Sequence, residues 1–66
     1  MQITLNGEPK NLENGLNIAA LLGALAIDTR QVAVEKNREI IPKSLYQSTA
    51  IMEGDEVEIV SFIGGG

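Results

Sequence analysis

Histidine and cysteine are both absent from the 66 residues, which removes the side chains that most often supply a nucleophile or its base. Ser44, Ser48, Thr49 and Ser61 carry hydroxyls, but a hydroxyl needs an adjacent base to become reactive. Without cysteine, no persulfide or thioester can form on a side chain. Lys10, Lys36 and Lys43 read as solvated. Glu53, Asp55, Glu56 and Glu58 crowd one stretch, but a calcium loop needs alternating oxygen ligands over a longer span. They read as a solvated acidic turn, and no metal site is expected. The group that remains is the terminal α-carboxylate, reached through Gly64-Gly65-Gly66. Glycine has no Cβ, so such a tail can thread a channel closed to other residues. It is also expected to be flexible unless something holds it. Three glycines alone do not separate a reactive terminus from a frayed end.

Composition narrows the possibilities. Sixty-six residues make one domain with a small core, and no disulfide or metal is available to staple it. The net charge of −4 excludes a nucleic-acid partner, whose phosphates require a basic surface. It disfavours anionic membranes as well, and no apolar run approaches the ~20 residues of a membrane span. The start of the chain lacks the features of a secretory signal, so the expected compartment is the cytoplasm. The protein by itself is not expected to be an enzyme.

The elements that must present the terminus follow from local pattern. Met1, Ile3 and Leu5 alternate with polar residues, as in a half-buried strand. Asn6-Gly7 predicts a two-residue type I′ hairpin turn. The return strand, 8–13, contains Pro9 and so belongs at a sheet edge. Asn17 is a helix N-cap, and Ile18, Leu21, Leu22 and Leu25 form one apolar stripe on a helix ending near Ala26. Asp28-Thr29-Arg30 is a loop, and 31–35 is a strand with Val32 and Val34 on one face. Lys36-Asn37-Arg38 turns the chain into a short strand, Glu39-Ile40-Ile41, which stops at Pro42. One helical turn over 42–46 and an ambiguous stretch over 48–52 precede a turn at Glu53-Gly54-Asp55 and a last strand, 56–63. One helix with one apolar stripe needs one sheet face, giving an α+β fold with a small mixed sheet wrapped around a single helix. Residues 1–63 form the domain and residues 64–66 its tail.

Strand alternation assigns Val57, Ile59 and Ser61 to one face and Glu56, Glu58, Val60 and Phe62 to the other. Acidic Glu56 and Glu58 must meet water, so Val60 and Phe62 face water too. An exposed Val-Phe pair beside a glycine tail reads as a partner-docking patch. The plainer alternative is a twisted strand end covered by its neighbours. The acidic cluster would help to orient a basic partner, with association slowed by salt.

Several motifs occur in a recognisable order. Asn6-Gly7 follows a first strand, Asn17-Ile18-Ala19-Ala20-Leu21-Leu22 opens the helix, and Val32-Ala33-Val34-Glu35-Lys36-Asn37 follows it. Then come Ile40-Ile41-Pro42, Gly54-Asp55, and Val57-Glu58-Ile59-Val60 running to Gly65-Gly66. In this order the whole chain resembles the ThiS family of sulfur carrier proteins of thiamin biosynthesis. Asn17, where threonine is common, and Gly23 within the helix are mild departures.

The resemblance implies the ubiquitin-like β-grasp fold and a role for Gly66 as the site of adenylation and of covalent sulfur attachment. An adenylyltransferase of the ThiF type would use ATP and Mg²⁺ to activate the Gly66 carboxylate. Sulfur from a cysteine desulfurase route would then give a C-terminal thiocarboxylate, and a thiazole synthase of the ThiG type would take that sulfur. No cofactor would be bound by the chain itself. Gly64 and Gly65 would give clearance, and Val60 and Phe62 would dock the partners. Three alternatives stay open: the small subunit of molybdopterin synthase, a ubiquitin-like modifier, and a plain binding module.

Overall fold

The computed structural model describes residues 1–62; Ile63 and the predicted tail, residues 64–66, lie outside the described residues. Five strands and one helix appear in chain order: β1 (Gln2–Leu5), β2 (Glu8–Asn11), α1 (Ile18–Ala24), β3 (Val32–Lys36), β4 (Glu39–Ile41) and β5 (Glu56–Ser61). Two single 3₁₀ turns, Thr29–Gln31 and Lys43–Leu45, lie between them. The strands form one sheet in the order β2-β1-β5-β3-β4. β5 runs parallel to β1 and antiparallel to β3, and the other neighbours are antiparallel hairpins. This is the expected mixed sheet on one helix, the β-grasp arrangement.

Both hairpins turn on asparagine. Asn6 and Gly7 have φ of 50° and 84°, the left-handed pair that a type I′ turn requires. Asn37 and Arg38 repeat it at 52° and 70°, although arginine has a Cβ that makes this conformation costly. Pro9 lies on β2, an edge strand, as its missing N–H demands.

α1 begins as predicted, with the Ala20 N–H donating to Asn17 Oδ1 at 2.7 Å. It ends two residues earlier than expected. Ala26 adopts φ of 58°, and the Ile27 N–H closes back on the Leu22 carbonyl at 2.9 Å. The Ala26 N–H bonds to the Gly23 carbonyl, completing a Schellman turn built on alanine where glycine is usual. Within the predicted loop, Asp28 caps a 3₁₀ turn by accepting from the Arg30 N–H at 2.9 Å. The Arg30 guanidinium beside Asp28 draws that carboxyl down to about 2.

Ile18, Leu21 and Leu22 pack on Ile3, Val32, Val34 and Val57, with Tyr46 and Ile51 closing the core. The ambiguous stretch 48–52 forms no strand. It runs past the start of α1, where the Ile18 N–H donates to the Thr49 carbonyl and the Ile51 N–H to the Leu16 carbonyl, both at 3.0 Å. Ile51 is thereby buried.

Asp55 departs from the solvated acidic turn expected of it. It is 8% exposed and accepts from Asn37 Nδ2 at 3.0 Å and from the Met52 N–H at 2.8 Å. Lys36 Nζ, also predicted to be solvated, stands 3.6 Å from its carboxylate and donates to the Ala50 carbonyl at 3.1 Å. Burial pushes the Asp55 carboxyl up, but the Asn37 and Met52 hydrogen bonds and the Lys36 charge outweigh it and hold it below 3.8. Stability from this group is therefore complete above the unfolded value near 3.8 and is lost as pH falls through the lower folded value. Asp55→Ala should cost about 2–3 kcal/mol at pH 7 by urea denaturation, because two donors lose a charged acceptor. The difference from the wild type should shrink as pH is lowered below 3.8; a pH-independent gap would exclude this account.

Candidate functional site: the outer face of the last strand

β5 presents two unlike faces because α1 covers only one of them. Val57 is buried and Ile59 half-buried on the helix side. Glu56, Glu58 and Val60 turn outward, and Phe62 follows beyond the strand. Val60 is 56% and Phe62 57% exposed, so the strand phase read from the sequence holds.

The pairing register shows what surrounds them. Ala33 stands across from Val60, and Glu35 is flanked by Glu58 on β5 and Ile40 on β4. All of these project from the same outer face, and Ile40 is 74% exposed. The patch thus extends over three strands, a width the sequence did not reveal. A strand as short as Glu39–Ile41 gives too little alternation to fix which isoleucine faces out. Glu35 and Glu58 oppose each other directly, and like charges in such pairs repel. The face therefore joins an apolar area to a pair of acidic side chains.

Lys43, predicted to be solvated, borders this face and is engaged. Its Nζ donates to the Val32 carbonyl at 2.8 Å and lies 5.2 Å from the centre of the Phe62 ring. The Phe62 N–H donates to the Gln31 carbonyl at 3.2 Å, prolonging the pairing of β5 with β3.

On the helix side, beneath the end of β5, the short α1 leaves a cleft of about 360 Å³ lined by Leu5, Leu25, Ile27, Val32 and Ile59. Two polar groups at its rim are already committed. Asn6 accepts from the Ile59 N–H at 2.8 Å, and Asp28 pairs with Arg30 at 2.9 Å. Among the described residues no three acidic side chains gather as a metal site would require. Gly64, Gly65 and Gly66 lie outside the described residues. Among the described residues no helix is long and apolar enough to cross a membrane.

A mixed five-stranded sheet in the order β2-β1-β5-β3-β4 grasping one helix defines the class of ubiquitin-like β-grasp proteins. The model of the ThiS family matches residues 3–66. The chain belongs to the ThiS family. A thiazole synthase from Paramagnetospirillum magneticum is 52% identical over all 66 residues, which span 20% of that protein's length. The sulfur carrier protein ThiS of Bacillus subtilis is 41% identical over 49 residues, 74% of each chain. The crystal structure of the thiamine biosynthesis protein ThiS from Geobacter metallireducens superimposes with a TM-score of 0.86 at 36% identity, covering 100% of both chains.

Because Phe62 is outside the core, Phe62→Asp should leave stability within about 0.5 kcal/mol of wild type in urea denaturation. Unfolding of this variant would reverse the assignment of the strand's faces.

Proposed function

We propose that this chain is the sulfur carrier of thiamin thiazole formation. The observation that carries the reading is the exposed Val60 and Phe62 at the end of β5, which in sequence are separated from Gly64-Gly65-Gly66 by Ile63 alone. Whole-length similarity to the ThiS structure supports it. The alternative as the small subunit of molybdopterin synthase has no comparable support.

The chemistry follows from what a terminal carboxylate lacks. Resonance and negative charge make the Gly66 carbonyl a poor electrophile. A ThiF-type adenylyltransferase joins the carboxylate to the α-phosphate of ATP with loss of pyrophosphate, using its own Mg²⁺. AMP is then a good leaving group, and a persulfide from the cysteine desulfurase route displaces it to form an acyl disulfide. A thiol of a partner enzyme cleaves the S–S bond, becoming a disulfide with the persulfide's carrier. Sulfur ends where an oxygen was, as a thiocarboxylate. A ThiG-type thiazole synthase takes this sulfur; the likeness to a thiazole synthase that contains a segment of this kind supports that partner.

The chain's own part is presentation. Val60, Phe62, Ile40 and Ala33 offer an apolar surface, while Glu35 and Glu58 favour partners with a basic residue opposite them. Gly64 and Gly65 put no side chain in the way of Gly66. Chemistry at the terminus suits a chain without cysteine or histidine, and it works in the cytoplasm beside its enzymes.

Intact mass spectrometry tests this directly. Incubation with ATP, Mg²⁺, the adenylyltransferase and a sulfur donor should raise the mass by the difference between sulfur and oxygen. Deletion of Gly66 should abolish the gain and the rescue of a thiamin auxotroph. A branched peptide from Gly66 to a lysine, or no adduct at all, would overturn the reading. Phe62→Asp should weaken binding to the adenylyltransferase about tenfold or more, as loss of an aromatic anchor does, and binding should weaken with added salt.

A further inference from the structure

We propose that Lys43 is a positioning residue that holds the Phe62 ring in its docking orientation before a partner arrives. This rests on the docking role proposed above for Phe62. An aromatic side chain on the water side of a strand end has few neighbours to fix its rotamer, and ordering it at an interface opposes binding. Here the means of ordering it beforehand is built into the fold.

Lys43 opens the 3₁₀ turn Lys43–Leu45, just after β4. Its ammonium does not extend freely into water. It is fixed at the first residue of β3 by donating to the Val32 carbonyl at 2.8 Å. From there it lies 5.2 Å from the Phe62 ring centre, within the range at which a cation is drawn to a ring face. The centre of the buried Tyr46 ring lies 6.0 Å from the same ammonium. The ammonium thus links a ring locked in the core to one exposed on the surface. The Phe62 main chain is tied separately, through its N–H to the Gln31 carbonyl at 3.2 Å. Backbone and ring of the same residue are consequently both attached to the start of β3.

Lys43 is itself exposed, so removing its charge should not unfold the domain. Four chains test the idea: wild type, Lys43→Met, Lys43→Arg and Phe62→Leu, together with the double variant of Lys43→Met and Phe62→Leu. Side-chain NMR couplings should show one dominant χ1 rotamer for Phe62 in wild type and rotamer averaging in Lys43→Met, with amide exchange at Val34 and Val57 unchanged and Lys43→Arg close to wild type. In adenylation assays, the KM for the Lys43→Met carrier should rise about 2- to 10-fold with kcat retained, the size expected for one side chain left to be ordered on binding. In the Phe62→Leu background, Lys43→Met should produce no further change, because the ring it acts on is gone. An unchanged Phe62 rotamer distribution in Lys43→Met, a loss of protection spread evenly over the sheet, or an equal KM effect in the Phe62→Leu background would each overturn the proposal. If the wild-type chain is not adenylated at all, the proposed function fails, while the Phe62 rotamer distribution still decides whether Lys43 holds the ring.

Discussion

The placement of β5 between two hairpins is the constraint on which the rest of the domain depends. It pairs with β1 on one side and β3 on the other, and the turn asparagine of each hairpin reaches across to hold it. Asn6 receives the Ile59 N–H, and Asn37 receives the Glu56 N–H at 2.9 Å. Asn37 also donates to Asp55, whose carboxylate fixes the chain just before the strand begins. Each asparagine therefore has two jobs. Its backbone accepts the left-handed conformation of a tight turn, and its side chain continues a ladder that the turn would otherwise end.

Holding one strand in this way also decides what its outer face can do. A single seven-residue helix covers only the inner side of the sheet. Val57 and Ile59 are taken up by the core, while Val60 and Phe62 leave their apolar surface in water. In a domain this small, apolar surface left in water forgoes stabilisation that the core could use. The Glu35–Glu58 opposition adds a second local disadvantage on the same face. The docking role proposed for this face would account for both.

Much of this was legible in the sequence because local rules and tertiary needs agree. Asn6-Gly7, Pro9, Asn17 and the Ile18-Leu21-Leu22 stripe each mean one thing locally, and each occupies the place that meaning implies. Strand alternation placed Val60 and Phe62 outward for the same reason. The failures share a different cause. Asp55, Lys36 and Lys43 are polar residues in turn-like stretches, where solvation is the reasonable reading. Their partners, Asn37, the Ala50 carbonyl, the Val32 carbonyl and the Phe62 ring, are brought to them only by tertiary folding. The early end of α1 was hidden because Ala26 takes the position that glycine usually marks. The outward face of Ile40 was hidden because its strand is too short to show a period.

The central position of β5 has one more consequence, which concerns the order in which the molecule can come together. Each hairpin can form from its own neighbours, but Thr4 must wait for Glu56, which lies nearly the whole chain away. Until residues 56–61 have been made, the two halves of the sheet have nothing between them, and Asn6 and Asn37 have no strand to grip. A polypeptide broken off before that point leaves the core open to proteases. Survival as a folded domain thus requires that the strand presenting Val60 has been synthesised.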